Sequence, residues 1–229
     1  MNELEANNIT TGAPIIVAPI LTQRSAMAVQ HLLAASRLSR QCREIQDANR
    51  GLPLGSFFDD QIACVSSTVM LSVASLEANI NEHIEDADKL FPELSVGARR
   101  EFCNLLSQLP ILEKYERILA IKELTSFDRG ASPYQDVDLL IAIRNELVHF
   151  HPEWHDRQNR HAKLGRRILY RFELSPFIVD ESAVIFPNRF IGYGCTKWAV
   201  ESALAFMEQF ASLAQLSNRF ESFRGILNS

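Results

Sequence analysis

The sequence predicts an all-α protein, a bundle of long antiparallel helices joined mostly by short connections. Apolar residues recur at helical spacing over most of the chain, and prolines mark the ends of these stretches. The composition indicates a folded domain, because 47% of the 229 residues are hydrophobic, which is enough to bury a substantial core. We therefore expect one helical domain over 23–229. A polar tail and an extended docking segment precede it at 1–22.

Six long helices follow from this pattern. They are predicted at 23–49, 57–90, 96–109, 111–124, 133–151 and 193–216. The fifth begins with Ser-Pro-Tyr-Gln, in which Ser132 as N-cap and Gln135 at the third helical position predict a capping box. Between 175 and 190, two prolines and several β-branched residues predict a small insertion, either a β-hairpin or only an irregular loop.

The charge balance limits what the protein as a whole can bind. Lys and Arg number 23 against 28 Asp and Glu, a net charge of -5, so any nucleic-acid site must be a local basic patch. The four cysteines are scattered without a CxxC pair, which favours reduced thiols. No signal peptide or transmembrane segment is recognised, so we expect a cytoplasmic protein that does not enter a membrane.

The stretch LIAIRNELVHFHPEW (140–154) places one arginine in an otherwise apolar helix. On a helical projection Arg144 falls between two apolar stripes, so its side chain is aimed at other protein. Asn145 and His149 lie four residues apart and share the opposite, polar strip. Arg144 and His149 are about 140° apart around the helix. Either the long side chain of Arg144 extends around the helix towards His149, or a second protein surface completes the site.

Purely structural explanations stand beside a functional one. A buried arginine needs a carboxylate partner, because an unpaired buried charge costs several kcal/mol. Glu77 is the candidate partner, since its helix carries no other charge between 61 and 78. His149 lies in the last turn of its helix, where a histidine is often only a cap.

The combination Arg-Asn-x-x-x-His inside an apolar helix, written here as RNELVH (144–149), resembles the HEPN superfamily. Three further stretches are similar to bacterial members of that group. They are SLEANINEHI (75–84), LEKYERIL (112–119) and CTKWAVESALAFMEQF (195–210). The resemblance covers about 61–210, and the first sixty residues have no counterpart in it.

The resemblance implies an α-helical homodimer that cleaves RNA without a metal or other cofactor. In that family, Arg and His of two protomers meet across the dimer interface, and RNA is cut through attack of its own 2'-hydroxyl. Carried onto this chain, His149 is the general acid or base, Arg144 binds the scissile phosphate and Asn145 positions the site. Many members act in toxin-antitoxin or phage-defence systems, so an antitoxin protein is a further expected partner.

Two supporting residues come from the sequence rather than from the resemblance. Glu77 is expected to hold the arginine by an ion pair. His151 satisfies a looser arginine-to-histidine interval and is a second histidine candidate.

A basic stretch after the motif supports RNA binding independently of the resemblance. No acidic residue lies between its basic residues, although the chain as a whole is acidic. Aromatic residues are interleaved with the basic ones, as in many nucleic-acid-binding surfaces. We expect it to follow the RNA phosphates, with an affinity that falls steeply as salt rises. The alternative is a solvated helix face that balances acids elsewhere. Its members are Arg157, Arg160, Lys163, Arg166, Arg167 and Arg171.

Two other functional classes stay open. The first is a non-catalytic HEPN-like module that binds RNA or a protein. The second is a histidine-rich metal site built from His149, His151, His155, His161, Glu153 and Asp156. No HExxH or other familiar ligand spacing is present, and Pro152 interrupts any shared helical face. The spacing therefore favours the metal-free RNase.

Overall fold

The computed structural model describes residues 25–154 and 160–227. In this part the chain is all-α, and none of the described residues forms a β-strand. The predicted fold class is therefore confirmed. The polar tail and docking segment predicted at 1–22 lie outside the described residues.

Nine α-helices are present in the described ranges. They are α1 (Ala28–Ala48), α2 (Phe57–Glu85), α3 (Ala87–Leu90), α4 (Val96–Ser107), α5 (Ile111–Ile121), α6 (Tyr134–Val148), α7 (Arg160–Ile168), α8 (Tyr193–Leu213) and α9 (Arg224–Leu227). A π-helical turn at Ile185–Arg189 and a 3-10 turn at Glu221–Phe223 accompany them.

The helix predicted at 57–90 is divided in two. α2 ends at Glu85 and the turn at Asp86 leads into α3, although neither proline nor glycine lies there. The side chain of Asp86 accepts a hydrogen bond from Arg219, which lies far away in the chain. The division therefore coincides with a tertiary contact that helical periodicity does not report.

The capping box predicted at the start of α6 does not form. The hydroxyl of Ser132 donates to the carboxylate of Asp136, and no side-chain hydrogen bond caps the helix. The side chain of Gln135 accepts a hydrogen bond from Arg171 instead of reaching back to Ser132. At its other end α6 stops at Val148, a few residues earlier than predicted.

α2 is the central helix of the fold. It packs against α1, α8 and α6, and its buried face combines apolar residues such as Leu76 and Ile80 with the small polar residue Ser75. Among the described residues, α2 is the one helix long and apolar enough to cross a membrane. Half of its most apolar window is buried in the fold, as in the central helices of helix bundles.

Side-chain contacts fix the directions of the three longest helices. Gln61, at the start of α2, donates to Gln46 near the end of α1 at 3.3 Å. Glu82, near the end of α2, accepts the first amide of α1, that of Ala28, at 2.9 Å. These two helices are therefore antiparallel. The backbone N–H of Tyr193 at the start of α8 also reaches Gln46, so α8 runs antiparallel to α1 and parallel to α2.

The insertion predicted at 175–190 is irregular. Its residues form no strand, so the loop alternative is confirmed and the β-hairpin alternative is wrong. A hydrogen bond of 2.7 Å from the backbone N–H of Ser175 to the carbonyl of Arg189 closes it. The chain leading into the insertion crosses the first turn of α8 at Gly194. A Cβ at that position would lie no more than 3.0 Å from the backbone of Glu173, so glycine is required there.

Candidate functional site

α6 carries the motif, and one of its faces is open to solvent. The buried residues of the helix are Val137, Leu139, Leu140, Ile143 and Glu146. On the other side Asn145, Val148 and His149 are exposed, so the predicted polar strip is confirmed. Val148 belongs to an apolar stripe predicted from the sequence, yet its side chain is 48% exposed. We call this exposed surface the open face of α6.

Arg144 lies at the border between the buried side and the open face. Its residue is partly buried, and its Nε is buried without a hydrogen-bond partner among the described residues. No described carboxylate forms an ion pair with it. A buried donor without a partner costs about 1–3 kcal/mol. This arrangement favours a partner for Arg144 that is not in the described part of the chain.

Glu77 is not that partner. It is exposed on α2, and no ion pair joins it to Arg144. The predicted ion pair is therefore wrong. The physical reason is that Glu77 lies at the edge of the buried face of α2, about 40° in rotation from the buried Val73, where its side chain is exposed to solvent.

His149 ends α6 as its C-cap, and its backbone N–H donates to the carbonyl of Asn145 at 2.9 Å. Its side chain is exposed, and so is that of His151. Two residues five positions apart on a helix differ by about 140° in rotation and about 7.5 Å along the axis. Arg144 and His149 therefore flank the open face of α6 on opposite sides, with Asn145 between them.

The two acidic residues of the motif stretch attach α7 to α6. Nε of Arg160 lies 2.6 Å from Oε1 of Glu146 and donates to Oε2 at 2.8 Å. Glu153 caps α7, because its carboxylate accepts the backbone N–H groups of Arg160 and His161 at 3.2 and 3.1 Å. The sequence alone did not predict either role. Both residues fix the position of α7 next to the candidate catalytic groups.

Three of the six residues predicted to bind RNA are paired with acids of α6. The pairs are Arg160 with Glu146, Arg167 with Asp138 at 2.7 Å, and Arg171 with Asp136 at 3.0 Å. Lys163 and Arg166 are exposed and have no ion-pair partner among the described residues, and Arg157 lies outside them. The basic track is therefore narrower than predicted, because the sequence does not reveal that acids of α6 face α7.

The described histidines that were considered as metal ligands lie in different surroundings. His161 is 2% exposed, and its ring packs against two phenylalanine rings with centroids 5.2 Å away. His149 and His151 are exposed. Within 25–154 and 160–227, no group of three or more His, Cys, Asp or Glu residues could hold a metal ion. His155 and Asp156 lie outside these ranges.

A cleft opens beside α6, one to two turns before the motif. Two neighbouring cavities of about 690 and 420 Å³ adjoin at Arg129, Tyr134 and Asp138, which line both, and we call them together the cleft. The larger part is lined by α5 and the loop before α6, and the smaller part by α7. Tyr134, Asp138 and Ile141 of its wall lie on the same side of α6 as Asn145.

Contacts with one carboxylate hold two polar side chains of the cleft. Nε and Nη2 of Arg129 lie 2.6 and 2.8 Å from the two oxygens of Glu116, and this pairing raises the pKa of Arg129. Burial and the neighbouring Glu116 carboxylate raise the pKa of Tyr134, so its hydroxyl stays protonated. Sequence reasoning missed this cleft because its residues come from separate segments with no shared motif.

Comparisons with protein families, with curated proteins and with solved structures give no match to this chain. A function must therefore be argued from the residues. The most specific feature is the open face of α6, which has on one flank a guanidinium without a partner among the described residues and on the other flank an exposed imidazole.

Proposed function

We propose that the protein is a metal-independent endoribonuclease of the HEPN type, whose site is completed when the α6 helices of two chains face each other. One observation carries the proposal. The Nε of Arg144 is buried without a described partner, at the edge of an exposed surface that also bears His149. A guanidinium matches the geometry of phosphate oxygens, and imidazole is the side chain best suited to proton transfer near neutral pH.

The reaction needs only groups of this kind. His149 takes the proton of the RNA 2'-hydroxyl or gives a proton to the leaving 5'-oxygen. The 2'-oxygen attacks the adjacent phosphorus and the bond from phosphorus to the 5'-oxygen breaks. The products are a 2',3'-cyclic phosphate and a 5'-hydroxyl. Arg144 stabilises the negative charge on the phosphate oxygens, Asn145 positions the RNA by hydrogen bonds from its amide, and His151 is a supporting candidate for proton transfer.

A second copy of the chain fits the geometry of a single α6. On one helix the side chains of Arg144 and His149 leave opposite flanks of the open face. When two open faces meet about a twofold axis that runs parallel to the α6 helices, each Arg144 lies on the same side as the partner's His149. Val148, 48% exposed, and the partly buried Ile141 supply apolar surface for this contact.

The first test is incubation of the purified protein with total RNA in the presence of EDTA. We expect cleavage that leaves 2',3'-cyclic phosphate ends. Arg144→Ala and His149→Ala should remain folded and lose activity by about a hundredfold or more. The matched controls are Arg100→Ala on α4 and His31→Ala on α1, which should retain full activity. Cleavage that stops in EDTA, or wild-type protein that leaves RNA intact, contradicts the proposal.

Mixing two inactive variants tests whether the site is composite. In a mixed dimer of Arg144→Ala and His149→Ala, one of the two sites contains an intact Arg144 and an intact His149 from different chains. We expect recovery of roughly a quarter of wild-type activity after random exchange of subunits in a twofold dimer. A site formed within one chain stays inactive in every mixture.

The alternative is a non-catalytic HEPN-like module that binds RNA or a partner protein such as an antitoxin. One observation favours a module that binds a protein: ion pairs with α6 occupy three of the basic residues and so reduce the positive charge left for RNA. In that case the wild type does not cut RNA, and His149→Ala binds its partner as the wild type does. Growth inhibition on expression that His149→Ala relieves would exclude this alternative.

A further inference from the structure

The loop between α1 and α2 and the insertion before α8 together present an apolar surface to solvent. The rings of Phe57 and Phe177 join the two segments, with centroids 5.0 Å apart. Neither ring belongs to the buried core or to the residues packed against it. Next to them in the chain, three aliphatic side chains are more than half exposed, namely Leu52 at 55%, Leu54 at 54% and Val179 at 81%. We call these five residues the apolar patch.

Both segments are held in place, so the apolar patch is formed before any partner binds. In the loop, the carbonyl of Gly55 accepts the backbone N–H of Phe58 at 3.0 Å. A Cβ on Gly55 would lie 3.7 Å from the ring of Phe57, which therefore packs against the loop. The hydrogen bond from Ser175 closes the insertion, and the side chain of Phe186 anchors it in the core. A preformed surface loses little conformational entropy on binding.

Four exposed carboxylates border the apolar patch, and none of them forms an ion pair with a described residue. Two lie in the first turn of α2 and two follow Val179 directly in the chain. They are Asp59, Asp60, Asp180 and Glu181. The hydroxyl and the backbone N–H of Ser182 donate to Asp180 at 2.7 and 2.9 Å and lower its pKa, so this carboxylate stays ionised. We call these four residues the acidic border.

Two arginines near the acidic border already have contacts. Arg50, in the loop that carries the leucines, pairs with Asp47 at 3.2 Å. Arg189 donates from Nη1 to the backbone carbonyl of Glu181 at 3.4 Å, and its Nε is buried. Four carboxylates therefore outweigh the positive charge at this end of the bundle. The surface combines exposed apolar side chains with net negative charge.

The acidic border determines which partners fit the apolar patch. It would repel the anionic headgroups of a membrane and the phosphates of a nucleic acid. If two copies of the patch met, their like charges would face each other. The apolar run 15–21 of the same chain is too far away to cover it. Residues 22–24 span at most about 10 Å, whereas α1, with 21 residues, separates Ser25 from the patch by about 30 Å.

We propose that the apolar patch binds a basic amphipathic segment of another protein. Its apolar side chains would cover Phe57 and Phe177, and its Lys or Arg side chains would meet the acidic border. Exposed apolar surfaces with a polar rim are typical of protein–protein contacts, and charge complementarity selects the partner. The inference goes beyond the proposed function, because it uses no residue of α6 and does not require cleavage. Either proposal can therefore fail without the other.

Fluorescence anisotropy with two labelled synthetic peptides tests the site. Each peptide has about 14 residues, or four helical turns, with leucines along one face. The other positions are lysine in the first peptide and glutamate in the second. We expect saturable binding of the lysine peptide, about tenfold or more tighter than binding of the glutamate peptide. Its affinity should fall as salt rises, because part of the attraction is between exposed charges.

Variants of the two parts of the surface assign the binding to it. Leu54→Ser combined with Val179→Ser should weaken binding of the lysine peptide about tenfold, because apolar contact is lost. Asp60→Asn combined with Glu181→Gln should weaken it about threefold and reduce its dependence on salt. All four side chains are exposed, so both double variants should unfold at the wild-type temperature.

The matched controls lie on α4, away from the apolar patch. Leu105→Ser, at a position that is 69% exposed, and Glu101→Gln should bind the lysine peptide as the wild type does. The proposal is overturned if the lysine peptide does not saturate the wild type, if the glutamate peptide binds as tightly, or if the folded double variants bind normally. Sedimentation and vesicle binding examine the other occupants.

Self-association of the wild type that is lost with Leu54→Ser and Val179→Ser would assign the apolar patch to a second copy of the chain. Binding to vesicles of phosphatidylcholine and phosphatidylserine that is lost in the same variant would assign it to a membrane. Either result overturns the proposal. We expect neither, because the acidic border opposes both contacts.

Discussion

Arg160 binds Glu146 at the junction between α7 and the motif helix, with Nε 2.6 Å from the carboxylate. The two side chains differ in exposure, because that of Arg160 is 51% exposed and that of Glu146 only 9%. Water can therefore solvate the arginine if its partner is lost, whereas the glutamate would remain a buried charge without a partner. The stability lost on mutation should depend on which of the two is replaced.

Arg160→Met is expected to lower the free energy of unfolding by about 2–3 kcal/mol, because it leaves the Glu146 carboxylate buried and unpaired. Glu146→Gln should cost about 1 kcal/mol, since the amide is neutral and the arginine can be hydrated. Urea unfolding of both single variants measures the difference. Equal losses would show that the burial of Glu146 does not determine the energetics of this pair.

Arg144→Met should behave in the opposite way to Arg160→Met. No described ion pair is lost and a buried donor without a partner is removed, so stability should stay within about 1 kcal/mol of wild type or rise. RNA cleavage should disappear in the same variant. Urea unfolding and the cleavage assay are run on one preparation. A loss of stability as large as that of Arg160→Met would identify Arg144 as a structural residue.

His83 should make stability depend on pH. Burial and the neighbouring Arg219 guanidinium, whose Nη2 lies 3.4 Å from the Nδ1 of His83, lower the pKa of His83 from 6.5 to about 4. The unfolded chain binds a proton below pH 6.5 and the folded protein does not. Stability is therefore complete above pH 6.5 and falls as the pH approaches 4, by about 3 kcal/mol from this group.

The variant His83→Gln isolates that contribution, because every other titratable group is shared with the wild type. Urea unfolding of the wild type and the variant at pH 7 and at pH 4.5 gives, for each protein, the fall in the free energy of unfolding between the two pH values. We expect a smaller fall in the variant. Parallel falls would mean that His83 titrates normally in the folded protein.

Tyr170→Gly is expected to stabilise the protein. Tyr170 has a φ of 69°, a left-handed conformation that costs a non-glycine residue about 1 kcal/mol, and its 92% exposure leaves little packing to lose. The variant should gain up to about 1 kcal/mol. Tyr170→Ala keeps a Cβ and should not gain. Urea unfolding of the wild type and of both variants measures these differences, and a loss of stability in Tyr170→Gly would contradict the prediction.

Val148→Glu should disrupt the proposed dimer without unfolding the chain. Val148 is 48% exposed, so the new charge is solvated in the monomer but would be buried where two open faces meet. Sedimentation should show more monomer, and cleavage should fall with it. Val179→Glu, at a position in the insertion that is 81% exposed, is the matched control. A dimer that tolerates Val148→Glu contradicts the placement of the interface.

Helical periodicity and chain breakers predicted the long helices and the exposed strip with Asn145 and His149, because these features depend on residues close in sequence. They failed where the outcome depends on a distant residue. The end of α2 at Asp86 coincides with an Arg219 contact formed across the fold. Periodicity also orients Glu77 only relative to its own helix, so an ion pair with a residue of another helix cannot be derived from it.

The basic stretch shows the same limit for the site. Its run of cations was visible in the sequence, but the sequence does not show that Asp136 and Asp138 of α6 face α7. The cleft could not be predicted for a related reason. Its wall combines α5, the following loop, α6 and α7, and none of these segments has a pattern of its own that indicates a ligand.

The crossing at Gly194 provides a way to recognise distant relatives. Any side chain there would collide with the backbone of Glu173, so a homologue that conserves the RNELVH pattern but carries a bulkier residue at this position must lead its chain past α8 along another route. In such a homologue the turn that places Arg171 would shift, and shared ancestry would not guarantee a shared pocket.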